Sequence, residues 1–247
     1  MNTIGHSKFI TTPISSIIED SNRACVSLGS GIEIHPLGSY IMQTTFLRMT
    51  GASEQKLKCL CWEIASFDYE FRYELLRNPL GECSSYQDKK KIFNNICDSL
   101  KRYNVSVIFS ETEKDDIINT STTELENQLE TSPQSMIFEK EFKEFQKYFV
   151  TNPISRTSFC NASRDGNVSF LEKAHQEYYT DYVYRQRNRY AHNLTSYQMN
   201  VPTFTQLHNQ DSESNNHFRM FSSLILIDGI FMNLFKKFES MKRQHCY

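Results

Sequence analysis

The chain has 247 residues, and its 27 Lys and Arg against 29 Asp and Glu give a net charge of −2. At about 150 residues per domain this is one large domain or two small ones. The charge balance excludes a histone-like polycation, so any nucleic-acid contact has to come from a local basic patch. Hydrophobic residues make up 39% of the chain, enough for a packed core, while Gly and Pro together number 14 of 247, about half the usual share of roughly 12%. With 18 Phe, 13 Tyr and one Trp, the composition points to long helices with bulky side chains between them, and against a many-turned all-β architecture.

The N-terminus, MNTIGHSKFI, lacks a basic start followed by an apolar run, so no secretory signal is expected. The seven cysteines are odd in number, contain no Cys-x-x-Cys and show no paired Cys/His ligand spacing. The expectation is a reduced cytoplasmic protein with mostly buried thiols, no zinc site and no cofactor. The following elements are read in chain order. A short helix is predicted near Pro13–Arg23, and Gly29-Ser-Gly31 is a turn. Pro36 to Met49 reads as a helix with Pro near its start and Gly51 just past its end. Ser53 then caps a second helix from Glu54 to about Arg77, whose apolar positions Leu57, Leu60, Cys61, Ile64, Phe71 and Leu75 follow the helical period, until Asn78-Pro79 and Gly81 stop it. Ser84 and Gln87 fit a capping box opening a helix from about Tyr86 to Tyr103. Val105–Phe109 reads as a small strand or the tail of that helix.

Residues 110–135 are the most polar part of the chain, read as a loop or a peripheral helix with Ser121 and Glu124 as its cap. Ser132-Pro133 starts a helix whose Phe138, Phe142, Phe145 and Phe149 share one face, ending at Asn152-Pro153. Residues 161–167 form a loop, Ser169 and Glu172 make a second capping box for a helix to about Leu194, and polar residues 208–216 precede a last helix from about His217 to Arg243. That helix contains MFSSLILIDGIFMNLF, about 16 residues interrupted by Asp228 and Gly229. A membrane span needs roughly 20 uncharged residues, so this is a central core helix and no membrane is expected. A charge at Asp228 there needs a partner. The fold is all-α, with 1–50 as an N-terminal extension and 51–247 as the main helical domain, carrying an insertion at 110–150.

Chemistry concentrates in residues 181–194, DYVYRQRNRYAHNL. Asn188 and His192 are four apart and share a helix face, whereas Arg187 and His192 are separated by about 7.5 Å along the axis and about 140° around it. One helix brings these two together poorly. Two copies meeting near a twofold axis gather both His and both Arg side chains around one cleft, which predicts a homodimer with a composite site. Arg185 and Arg189 are candidates for surface ion pairs or, on the resemblance given below, for RNA backbone contacts. Tyr190 can stack on a base or pack in the core or at a dimer interface. Among Asp68, Glu70 and Glu74, one could orient the Arg187 guanidinium from a neighbouring helix. His35, His175, His208 and His217 show no ligand spacing, and no phosphate loop or G-x-S-x-G is present.

Arg187-Asn188-Arg189-Tyr190-Ala191-His192 resembles the R-[N/D/H]-x-x-x-H motif of HEPN ribonucleases at all three defined positions. The resemblance covers about residues 51–104 and 168–243, and the 51–74 stretch, GASEQKLKCLCWEIASFDYEFRYE, resembles the MAE-type HEPN nucleases. It implies a HEPN-like helical bundle and metal-independent cleavage of RNA, with Arg187 and His192 carrying the chemistry and Asn188 positioning. It also implies a toxin or antiphage-defence role, with an antitoxin or sensor protein as a partner. The alternative is a non-catalytic helical module that dimerises or binds RNA or protein.

Overall fold

The computed structural model describes residues 3–25, 34–163, 166–192 and 216–245, and is 79% helical with one two-stranded sheet. In chain order the helices are α1 (Thr3–Thr11), α2 (Ser16–Cys25), α3 (His35–Phe67), α4 (Tyr69–Arg77) and α5 (Tyr86–Arg102). Then come α6 (Glu111–Asn119), a π-helical segment (Thr120–Glu124), α7 (Leu125–Glu130), α8 (Pro133–Ile137) and α9 (Glu139–Thr151). A hairpin of β1 (Phe159–Ala162) and β2 (Val168–Leu171) follows, antiparallel with Phe159 opposite Leu171 and Asn161 opposite Ser169. The chain then forms α10 (Lys173–Tyr178), a second π-helical segment (Tyr179–Tyr184), α11 (Arg185–His192) and α12 (His217–His245). The mostly all-α expectation holds. The expected turn at 29–31, the helix end near Leu194 and the loop at 208–215 lie outside the described residues.

The core is built around α12. Phe218, Phe221, Leu224, Ile227, Ile230, Leu234, Phe235 and Phe238 are all buried, so apolar side chains leave the helix in every direction and other elements must cover each face. The helices α3, α5, α6, α9 and the π segment before α7 all pack on it. α12 is long and apolar enough to cross a membrane by length and composition, and 72% of its apolar window is buried inside the protein. Gly229 lets α6 approach closely: a Cβ there would lie 3.2 Å from a methyl of Ile117.

Several local expectations are corrected. The two helices expected at 36–49 and 54–77 are divided elsewhere. α3 runs unbroken through Gly51, which is not among the positive-φ glycines and has open space where a Cβ would stand. Gly51 therefore costs helix propensity but does not terminate the helix. The break falls at Asp68, whose backbone is extended (φ −98°, ψ 109°) and whose carboxylate caps α4 by accepting from the Phe71 N–H at 3.0 Å. A domain boundary near residue 50 thus lies inside a continuous helix. Residues before it belong to the same core, because Ile10, Ile14 and Ile18 are buried with Met42, Phe46 and Met49.

Of the loop and the peripheral helix read for residues 110–135, the helix is found, over Glu111–Glu130 and again from Pro133. Ser110 and Glu113, not Ser121 and Glu124, form the capping box, with the Ser110 hydroxyl accepting from the Glu113 N–H at 3.1 Å and the Glu113 carboxylate accepting from the Ser110 N–H at 2.7 Å. Leu125 and Leu129 join the core here. Ser85, one residue after the expected cap, caps α5. Ser169 lies in β2 and caps nothing, since pairing with β1 claims its backbone. Val105–Phe109 is irregular, neither strand nor helix. Ser132 caps α8 as expected, but the chain breaks at Phe138 before α9, which buries Phe142 and Phe145.

The charge expected to need a partner on α12 has one. Asp228 Oδ1 lies 2.5 Å from Lys56 Nζ on α3, and its Oδ2 accepts from the Ile14 N–H at 3.1 Å, while Lys56 also donates to the Thr12 carbonyl at 2.8 Å. The pair is buried, and desolvation pushes the Lys56 pKa down and the Asp228 pKa up from their ordinary values, against the attraction between them. Removing one member strands the other charge. Lys56→Met or Asp228→Ala alone should lower stability by about 3–5 kcal/mol, and Lys56→Met with Asp228→Leu should recover most of it, as read from urea unfolding midpoints.

Candidate nucleic-acid interface

The motif side chains stand on α11, the last part of a continuous helical stretch that starts at Lys173 and passes through the π segment. Tyr179, Val183, Gln186 and Tyr190 are buried and hold this stretch against the core, so the intervening positions turn outward. Arg185, Asn188 and Arg189 line one open surface cleft with Thr180, Asp181 and Tyr184.

Arg187 points instead toward α3. Its Nε and Nη2 each donate at 3.1 Å to the two carboxylate oxygens of Glu54, a parallel fork, and its Nη1 donates to Asn188 Oδ1 at 3.2 Å. Three of the five guanidinium N–H groups are engaged in these bonds. The Glu54 side chain is 11% exposed and that of Arg187 24%, so the pair sits at the edge of the core, where its attraction is stronger than on the open surface.

None of the three carboxylates singled out in the sequence orients Arg187. Asp68 accepts from Ser99 Oγ and from Arg102 Nη2, both at 2.5 Å, and these bonds hold its pKa below the ordinary value in spite of burial. Glu70 pairs with the same Arg102 at 3.3 Å, and Glu74 receives the Asn78 amide at 3.5 Å. Glu54 carried its own signal in the sequence: it shares a helical face with Leu57, Cys61 and Ile64, and a carboxylate on an apolar stripe requires a cation.

Behind Glu54 lies a second buried cation. Lys89 on α5 is 1% exposed, donates to the Cys83 carbonyl at 2.8 Å and stands 5.6 Å from the centre of the Tyr179 ring. Burial pushes its pKa down to about 8, while the charge of Glu54 acts to raise it. Cys83 takes a left-handed conformation (φ 62°), in which its carbonyl receives the ammonium. The Tyr179 hydroxyl donates to the Ser84 carbonyl at 2.7 Å. This Lys89–Tyr179 support was not visible in the sequence, where Lys89 is one of three consecutive lysines.

The other candidate residues divide clearly. Arg185 makes an exposed pair with Asp181 at 3.8 Å, one turn away on the same helix. Arg189 has no carboxylate partner among the described residues. Tyr190 does not face solvent: it is 4% exposed, its hydroxyl is 2.9 Å from His217 Nε2, and its ring stacks on His217 with centroids 5.8 Å apart and packs edge-on against Phe46. It is a core residue, out of reach of a base. The backbone of His192 closes α11, and its imidazole lies outside the described residues. Among the described residues no group of three or more His, Cys, Asp and Glu side chains is placed to hold a metal ion.

No protein-family model, curated protein or solved structure matches this chain.

Two measurements test the geometry. Glu54→Gln should cost about 1–3 kcal/mol of stability, because it removes the charge from a largely buried fork. In a double-mutant cycle with Arg187→Gln, the two changes should couple by at least about 1 kcal/mol. Burial also lowers the His217 pKa to about 4. Between that value and the ordinary 6.5 the unfolded chain binds a proton that the native state does not. Stability should therefore fall as pH drops from 6.5 toward 4, by up to roughly 3 kcal/mol from this group. His217→Gln should flatten that slope in urea titrations across the same window.

Proposed function

We propose that this protein is an endoribonuclease that cleaves RNA without a metal ion, at a composite site formed by two copies of the chain. The observation that carries the proposal is the fork between Arg187 and Glu54. It holds a guanidinium at the edge of the core, beside Asn188 and a surface cleft edged by Arg185 and Arg189. A permanently charged group fixed in this way stabilises added negative charge on a phosphate without reorganising at the moment of reaction.

RNA brings its own nucleophile. The 2′-OH attacks the adjacent phosphorus, the His192 imidazole takes its proton, and the bond from phosphorus to the 5′ oxygen breaks. The leaving 5′ oxygen receives a proton from the imidazole of the second copy. The products are a 2′,3′-cyclic phosphate and a 5′-OH. Imidazole suits both steps because its ordinary pKa lies near neutral pH. Asn188, bonded to the Arg187 guanidinium, positions it.

Support for the second copy comes from the face of α3 next to the fork. Lys58, one turn along from Glu54, and Cys61, two turns along, edge an apolar cleft shared with Trp62, Leu75 and Leu76. Trp62 is 56% and Leu76 76% exposed, a patch of the kind that proteins cover with a partner. The biological role that accords with this chemistry is that of a toxin or antiphage-defence effector, held in check by an antitoxin or a sensor protein.

Purified protein incubated with mixed RNA in EDTA should release fragments ending in 2′,3′-cyclic phosphate. Arg187→Ala and His192→Ala should each reduce cleavage by about 100-fold or more, while sedimentation shows that the dimer is kept. A module that only binds RNA or protein has no cleavage to lose. A requirement for magnesium, with cleavage abolished by chelator, would overturn the mechanism.

A further inference from the structure

The outward face of α4 is apolar and exposed. The helix starts at its Asp68 cap and packs on α3 and α5, with Phe71 its one buried residue and Leu75 half-buried. At 100° per residue, Tyr73 points nearly opposite to Phe71. Tyr69, Tyr73 and Leu76, spaced four and three apart, form a stripe along this outward side, and the two tyrosines are 67% and 53% exposed. Ten large hydrophobic side chains are exposed among the described residues, and four of them, Trp62 and these three, fall within 15 positions. They form a patch, where exposed apolar residues are ordinarily scattered singly. The Arg72 guanidinium lies 5.3 Å from the centre of the Tyr69 ring and holds that ring at the surface.

The order of residues on this face selects its occupant. Tyr69 and Leu76 are seven positions apart, two helical turns, and so are Glu70 and Arg77, which flank the stripe on one side. When two such helices meet antiparallel about a twofold axis at Tyr73, direction along the helix is reversed and the flank is kept. Tyr69 then meets the partner's Leu76, Glu70 meets the partner's Arg77, and the symmetry repeats both contacts. Arg77 has no carboxylate partner among the described residues. Glu70 touches Arg102 at 3.3 Å, yet its side chain is 71% exposed and open to a second cation. Parallel helices would set Glu70 on Glu70 and Arg77 on Arg77, which repels. The face is therefore complementary to itself in charge as well as in apolar character, which an isologous interface requires. Leu76 also edges the cleft of about 500 Å³ that Trp62, Ala65 and Leu75 line, an apolar recess beside the stripe.

We propose that α4 pairs antiparallel with α4 of a second copy of this chain about a twofold axis at Tyr73, with the Tyr69 ring of each copy at the mouth of the other's Trp62–Leu76 cleft. The inference rests on the two-copy ribonuclease reading for the role of the pair, and it names the face that holds the pair together.

The test is sedimentation velocity of the full chain over a concentration series. The natural chain should dimerise with Kd below about 10 μM. Tyr73→Glu and Leu76→Glu should each weaken the dimer by about tenfold or more, because symmetry places every substitution in the interface twice. Glu70→Arg and Arg77→Glu should each weaken it by about threefold or more, and the two combined should return Kd to within about twofold of the natural value. Val150→Glu, on the exposed side of α9, should dimerise as the natural chain does, with thermal melting reporting that every variant is folded. A monomeric natural chain, full dimerisation of both Tyr73→Glu and Leu76→Glu, or a charge exchange that fails to recover the dimer would each overturn the proposal. RNA cleavage measured alongside separates it from the nuclease reading. Cleavage at the natural rate by a monomeric Tyr73→Glu supports the interface and overturns the composite site. A dimeric Tyr73→Glu, with cleavage lost in Arg187→Ala, overturns the interface and leaves the ribonuclease proposal standing.

Discussion

A helix with apolar side chains around its whole circumference cannot rest at a protein surface, and α12 is such a helix. Its enclosure organises the rest of the molecule. α3 lies along it, α5 and α6 close further sides, and the aromatic rings of α9 meet Phe218 at its start. The one carboxylate in the middle of this helix, Asp228, would oppose burial by itself. Lys56 from α3 and the backbone of the α1–α2 connection satisfy it, so the same contact that solves the charge also fixes α3 and the N-terminal helices on α12.

α3 then serves as a rail on which ionic groups are placed at the margin of the core. Glu54 engages Arg187, Lys56 engages Asp228, and Glu63, 1% exposed, meets His6 at 3.1 Å and Lys242 at 3.7 Å. Together they join α3 to α11, α12 and α1. The Glu54 fork lies behind the surface cleft and is joined to it through Asn188, and it engages three of the five guanidinium N–H groups. A guanidinium bound only to solvent would reorient when a phosphate arrived, whereas one held by a carboxylate does not. Glu54 also cancels part of the guanidinium's charge, so the pair projects little long-range attraction into solvent.

Much of the helical layout was legible in the sequence. The periodic apolar positions of residues 54–64, the caps near Ser84 and at Ser132, and the long apolar run after His217 all identify helices that exist. What misled was local punctuation. Gly51 reads as a stop, yet in the absence of a left-handed conformation a glycine weakens a helix without ending it. Ser169 and Glu172 read as a capping box, yet strand pairing across the hairpin outcompetes a cap. The polar segment at 110–135 reads as a loop or a peripheral helix because its aliphatic residues Ile117, Ile118, Leu125 and Leu129 are few among many polar ones, yet Ile117, Leu125 and Leu129 are buried, with a π-helical segment between the first and the other two.

The sequence by itself determined the helical class, the presence of a core helix at 217–243, the need of Asp228 for a partner, and the grouping of Arg187, Asn188 and His192 on one short segment. These are properties of periodicity and local chemistry, which act over a few residues. Only the tertiary structure decided that Glu54, 133 positions before Arg187, is its partner, that Asp68 belongs to Arg102, and that Tyr190 faces the core with His217. Partner choice among carboxylates depends on which helix faces pack together. That packing is fixed by the enclosure of α12, an interaction spread across the whole chain.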